Sequence, residues 1–144
     1  MMTKILVTTD GSELSRRAID AAVDLARNLG AALVGFTAVP AYPYASVGEI
    51  KPGDYSDFQA RVGALANARL AAVETAARAA SVECTTRMAE TDQPWRAIID
   101  TARDSGCDVI VMASHGRAGV SGVLLGSETQ RVLTHSTLPV LVIR

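Results

Sequence analysis

Apolar residues recur along this chain with two different periods, and the alternation between them predicts its elements. Four short runs rich in aliphatic and β-branched residues read as strands: KILVTT (4–9), ALVGFTAV (32–39), DVIVMA (108–113) and LPVLVI (138–143). Each is too short for a helix and is bounded by turn, cap or proline residues. Leu14, Ala18, Ala21, Ala22, Leu25 and Leu29 instead recur at three and four, with Arg16, Arg17, Asp20, Asp24 and Arg27 on the other face. That spacing predicts a first helix closed by Gly30.

Phe58, Val62, Leu65, Leu70, Val73 and Ala77, among many alanines, predict a second helix running to about Ala80. Residues 82–88 alternate weakly and read as another strand. Asp92-Gln93-Pro94 then supplies a cap and a first-turn proline for a third helix, whose apolar face is Trp95, Ile98, Ile99 and Ala102 and whose end is Gly106. Residues 127–135 form a fourth, with Ser127 as its cap and Glu128 in its first turn. Between the second strand and second helix, AYPYASVGEIKPGDYS (41–56) has no period and reads as an irregular loop that either packs on the surface or folds over a site. Surface packing is the expectation for its tyrosines.

Strands alternating with helices predict an α/β fold: a single doubly wound five-stranded parallel sheet, Rossmann-like, with helices on both faces. At 144 residues, one domain spanning 1–144 is expected. In such sheets ligands bind beyond the carboxyl ends of the strands, where the strand order reverses. The exits of the first and fourth strands are therefore the first places to look.

Composition narrows the partners. Apolar residues make up 49% and aromatics only 4%, so the core is aliphatic. A net charge of −1 without long runs of either sign gives no support for nucleic acid or an acidic membrane surface as partner. Cys84 and Cys107 lack metal-ligand or redox spacing and read as reduced structural thiols. No stretch approaches the roughly twenty apolar residues of a membrane span, and MMTKILVTTD lacks a secretory signal's apolar centre. A cytoplasmic location is the expectation.

Chemistry-bearing residues cluster at the two predicted exits. Thr8, Thr9 and Asp10 leave the first strand and enter a helix start through Gly11-Ser12. Two readings of Asp10 stay open: a helix cap, or an acceptor for a ribose hydroxyl, an adenine amine or a metal. At the other exit MASHGRAGVSGVLLGS (112–127) places Gly116, Gly119 and Gly122 ahead of Gly126-Ser127. Converging backbone N–H groups and a helix N-terminus make an anion site, to which Ser114, Ser121 and Ser127 add hydroxyls and Arg117 a charge. The segment matches neither GxxxxGK[ST] nor GxGxxG, and glycines in a strand-to-helix connection also serve tight turns.

Strand-DGS-helix at the start, G-x-x-G followed by nine residues and G-S, and the terminus LPVLVIR together resemble the universal stress protein family. The resemblance runs from KILVTTDGSE through DVIVMASHGR to STLPVLVIR and leaves only residues 40–57 without guidance. It implies a sheet of the adenine nucleotide α-hydrolase type, a homodimer through the last strand (138–143), and ATP, with ADP or AMP as alternatives, accompanied by Mg²⁺ or Mn²⁺ held through the phosphates. By position, Gly116, Gly126 and Ser127 are motif residues and Arg117 to Leu125, which include Gly119, the nine spacers. These look toward triphosphate and ribose, Thr8, Thr9 and Asp10 toward adenine and ribose, and Ala38 beside the base. Met112, Ala113, Ser114, His115 and Glu128 complete the set of candidate ligand contacts.

The first motif glycine is Ala113 here. If glycine serves a positive φ at that position, alanine is strained by about 1 kcal/mol; if it serves close approach, the methyl crowds the ligand. His115 has no carboxylate partner or nucleophile placed beside it by sequence, so no catalytic duty follows. With no P-loop lysine and no base for an attacking water, any ATP hydrolysis is expected to be slow. Trp95 reads as core, and His135 as a cation at a helix C-terminus.

Overall fold

The computed structural model describes residues 1–44, 48–116 and 125–144. Five parallel strands, β1 (Lys4–Thr8), β2 (Ala32–Val39), β3 (Cys84–Glu90), β4 (Val109–Ala113) and β5 (Val140–Ile143), form one sheet in the order β3-β2-β1-β4-β5. The intervening helices are α1 (Glu13–Leu29), α2 (Asp54–Ala79), α3 (Pro94–Asp104) and α4 (Ser127–His135). The chain builds outward from β1 to β3, then returns to lay β4 on the other side of β1. Strand order therefore reverses between β1 and β4, whose exits are the two that the sequence singles out.

The period of two along each strand divides the core between the sheet's faces. Ile5, Val7, Leu33, Val109 and Val111 pack with Ala18, Ala22 and Ala26 of α1 and Val73 and Ala77 of α2. Leu6, Val34, Phe36, Ile110 and Met112 point the other way, onto Ile98 and Ala102 of α3 and Val132 of α4. β4 is buried at all five positions, as its unbroken apolar run requires. Cys84 and Cys107 are both free, and burial pushes the Cys107 thiol up to about 11, so it stays protonated at neutral pH.

Where boundaries differ from the sequence reading, local hydrogen bonding explains the shift. α1 closes where predicted, with Gly30 at φ 65° as its C-cap, and at its start the Ser12 side chain accepts from the N–H of Ser15. α2 begins at Asp54, inside the stretch expected to be irregular, because Gly53 turns the chain at φ 90° and Asp54 and Asp57 place carboxylates in the first turn. Its polar opening turn hides the apolar period. β3 starts two residues late, since the N–H of Val82 is taken by the Ala77 carbonyl at 2.9 Å as α2 ends, and it runs on to Glu90. β5 starts at Val140; Leu138 instead donates its N–H to the Ser136 hydroxyl at 3.0 Å. Ser127 is the first residue of α4, not its cap. Gly126 is the cap, with extended backbone and no side-chain bond to offer.

One strand-to-helix contact is set by the absence of a side chain. A Cβ on Gly35 would lie 2.8 Å from Cγ1 of Val73, so α2 rests on β2 at a distance that only glycine allows. Gly35→Ala is expected to cost about 1–3 kcal/mol in denaturant unfolding. Adding Val73→Ala should recover part of that loss. Additive losses in the double-mutant cycle would show that the two positions do not compete for the same space.

Candidate functional site

At the exit of β1 the chain is tied down before it offers anything to a ligand. Thr9 is buried: its N–H donates to the Phe36 carbonyl at 2.9 Å, its hydroxyl shares a hydrogen bond with Ser15 at 3.0 Å, and its carbonyl accepts from Thr37 at 2.7 Å. It knots β1 to β2 and α1 and does not line the cleft. Ser12, not Asp10, caps α1, while Oδ1 of Asp10 accepts the Ser12 N–H at 2.9 Å. The other carboxylate oxygen faces Gly116, where a Cβ would run into it. Gly116 does not have positive φ, so its glycine is required by the approach of Asp10.

The exit of β4 and the start of α4 are clasped together. The Ser114 N–H donates to Ile143 at 2.8 Å, continuing the pairing of β4 with β5, and the Ser114 carbonyl accepts the Gly126 N–H at 2.7 Å. The Thr129 hydroxyl, buried, donates to the Ala113 carbonyl at 2.9 Å. A Cβ on Gly126 would sit 3.1 Å from Cα of His115. The chain thus leaves the sheet at Gly116 and is back against its own exit by Leu125-Gly126. Arg117 and Gly119, along with Ser121 and Gly122, lie outside the described residues.

Ala113 is an ordinary strand residue, paired with Ile143, and its φ is not positive. The backbone strain considered for alanine at this position is therefore absent. Its methyl lies on a strand end that faces the cleft. Of the two sequence-based concerns, only crowding survives.

These exits open into a cleft of ≈ 620 Å³ at the carboxyl edge of the sheet. Thr8, Asp10, Ala38, Met112, Ala113, His115, Gly116, Gly126, Ser127 and Glu128 line it, bringing together ten of the candidate residues. Ser114 is buried, its hydroxyl 3.3 Å from Nδ1 of His115, and it acts through the backbone clasp. Helix geometry leaves the first-turn N–H groups of Ser127, Glu128 and Thr129 without intrahelical acceptors at one end of the cleft.

Beyond Ala38 on β2, which it placed beside the base, sequence reading missed the wall built from β3, α2 and α3. Arg69 of α2 reaches the end of β2, where its guanidinium donates to the Ala38 carbonyl at 3.1 Å and lies 3.4 Å from the Thr37 hydroxyl. A signal was present: Arg69 interrupts the apolar stripe three residues after Ala66 and four before Val73. Thr91, Asp92 and Pro94 enter from the exit of β3 and Ile98 from α3. Asp10, Asp92 and Glu128 are carboxylates and Arg69 is a guanidinium, so the described wall is acidic on balance. Among the described residues no three His, Cys, Asp or Glu side chains converge to hold a metal ion.

Trp95 and His135 stack at 4.4 Å between centroids, and Trp95 packs against the α3-side core as expected. Nδ1 of His135 lies 2.8 Å from the Arg131 carbonyl, in the last turn of α4. Tyr42 makes edge contacts with Tyr44, Tyr55 and Phe58 at 4.6, 5.4 and 5.1 Å. Tyr44 and Tyr55 are exposed and the tyrosines do not line the cleft, so they form a surface cluster.

The family model described as "Universal stress protein family" matches residues 1–144. Across the full length of both chains the protein is 31% identical to universal stress protein YxiE of Bacillus subtilis. The solved structure of hypothetical protein MJ0577 of Methanocaldococcus jannaschii superposes with a TM-score of 0.85, covering 99% of this chain and 96% of that one at 23% identity, and so shares the fold. A universal stress protein crystallised in complex with cAMP superposes with a TM-score of 0.68 over 99% of this chain and 97% of that one, at 25% identity.

The clasp beneath the cleft depends on Thr129. Thr129→Val keeps the side-chain shape and removes the donor to the Ala113 carbonyl. It should lower stability by about 1 kcal/mol, read as a lower denaturant midpoint with an unchanged slope. An unaltered midpoint would show that this hydrogen bond does not hold α4 to β4.

Proposed function

The chain belongs to the universal stress protein family, and on that premise we propose that it is a regulatory protein that binds an adenine nucleotide, foremost ATP, in the cleft at the carboxyl edge of its sheet. The observation that carries this reading is the clasp of β4 to α4. It aims the N-terminus of a nine-residue helix into a cleft that also receives Thr8, Asp10 and Ala38 from strand ends. The base lies toward Ala38 and Arg69, the ribose toward Thr8 and Asp10, and the phosphates toward Gly116, Gly126 and Ser127. The family structure holding cAMP supports an adenine nucleotide as ligand class. A divalent cation, Mg²⁺ or Mn²⁺, would arrive on the phosphates, since the described side chains build no metal centre of their own. The nucleotide acts as a signal: the described cleft carries no P-loop lysine and no assigned base for an attacking water, so hydrolysis is slow.

Equilibrium titration of the purified protein with ATP and Mg²⁺ tests the proposal. Saturable binding is expected; none up to millimolar nucleotide would overturn it. Ser127→Asp separates binding from folding, because a carboxylate at the first helical position suits the helix yet repels phosphate. That variant should bind ATP at least about tenfold more weakly, a loss of about 1.4 kcal/mol, with its melting temperature maintained.

A homodimer through β5 follows from the same family reading. β5 is an edge strand with Leu141 exposed, and an uncovered apolar edge invites pairing. Sedimentation at micromolar concentration should give a dimer, and Leu141→Lys should shift it to monomer. A wild-type monomer would contradict this assembly.

A further inference from the structure

Two helix N-termini reach the cleft, and one carboxylate serves both. Glu128 belongs to the first turn of α4, and its Oε2 accepts the N–H of Trp95, in the first turn of α3, at 2.8 Å. Its Oε1 accepts from the Arg131 guanidinium at 3.0 Å. α3 has no side-chain cap from its own Gln93, so Glu128 is the anion that closes that helix start from 33 positions away. A helix N-terminus carries about half a positive charge. The Glu128 carboxylate between two such ends opposes their combined field, less the part offset by the exposed Arg131 guanidinium it pairs with.

Phosphates entering the cleft therefore meet a weaker helix-dipole attraction from α3 and α4 than two unopposed helix starts would give. The remaining described charges do not restore the full attraction: Asp10 and Asp92 are two further carboxylates, Arg69 lies on the wall away from α4, and Arg131, though paired with Glu128, is exposed and does not line the cleft. Nor is the Glu128 carboxylate positioned to withdraw easily, because both of its oxygens are hydrogen-bonded.

Building on the nucleotide reading, we propose that Glu128 is a specificity-determining residue that sets how much phosphate charge the cleft accepts. It occupies the α3 N-terminus from within and disfavours each further phosphate of a metal-free nucleotide. The triphosphate is then admitted chiefly with a divalent cation on its own phosphates, while adenosine and the monophosphate are little affected. Repulsion between fixed charges in a partly enclosed cleft is felt over this range and weakens with salt.

Glu128→Gln tests the charge while sparing the fold, because the amide oxygen can still accept from Trp95. Titrations with adenosine, AMP, ADP and ATP are made in EDTA and again with Mg²⁺. In EDTA the variant should gain with phosphate number, from less than twofold for adenosine to about tenfold for ATP. Mg²⁺ and high salt should both shrink that gain. Glu83→Gln makes the same change in charge at an exposed site just ahead of β3, on the opposite edge of the sheet, and should leave the series unaltered. A gain that is equal for all four ligands, or reproduced by Glu83→Gln, overturns the role of Glu128 while leaving the nucleotide site standing. Absence of binding by every ligand in both proteins instead overturns the nucleotide reading, and this inference with it.

Discussion

Everything in this molecule follows from the need to cover both faces of a parallel sheet with right-handed crossovers. The chain can lay β1, β2 and β3 side by side with α1 and α2 on one face. To cover the other face it must return to β1 and continue outward through α3, β4 and α4. β1 and β4 pair side by side, yet they lead into different helices. Their exits turn to opposite faces, and no connection crosses the gap between them. The cleft is the topological residue of that reversal, which is why Asp10 and Gly116, 106 positions apart, come into contact there.

Depth in the cleft comes from close backbone approach. The Gly126 N–H meets the Ser114 carbonyl at 2.7 Å, Thr129 adds a buried bond to the next carbonyl, and Gly126 has no Cβ to push His115 away. Gly116 likewise leaves room for the Asp10 carboxylate. These contacts draw α4 against the end of β4, so its first turn points into the cleft. The same closeness brings Glu128 within reach of α3. One geometric condition thus produces both the anion-attracting helix start and the internal carboxylate that tempers it.

Elements with a strong period were legible to within a residue or so at most ends. β2 spans the whole of its apolar run, α1 closes at Gly30, and α4 keeps both of its ends. The errors fall where polar local bonding sets a boundary that apolar periodicity does not mark. The opening turn of α2 is polar, and β3, at the sheet edge, exposes most of its residues. The candidate site was legible where it is local to one connection: the exits of β1 and β4. Its other wall depends on α2 and α3 packing back over β2 and β3; Arg69 has no nearby motif, and Asp92 and Pro94 read only as a helix start. Arg69 was visible only as a charge in an apolar stripe, which a surface-facing arginine also resembles.

Ala113 shows how a motif letter and its physical reason can come apart. Alanine in place of a motif glycine raises a question about backbone conformation, yet Ala113 sits in a strand paired with Ile143, where any residue is at ease. The demand for a missing Cβ lies further along, at Gly116 and Gly126, where the obstacles are Asp10 and His115 of this same chain. At those two positions glycine is required by the protein's packing before any ligand arrives. A motif glycine therefore says where backbones or side chains crowd, and only the folded neighbourhood says whether the crowding partner is the protein or what it binds. By that measure the cleft's shape is built in, and its charge, concentrated at Asp10, Asp92, Glu128 and Arg69, is the property left to decide what enters.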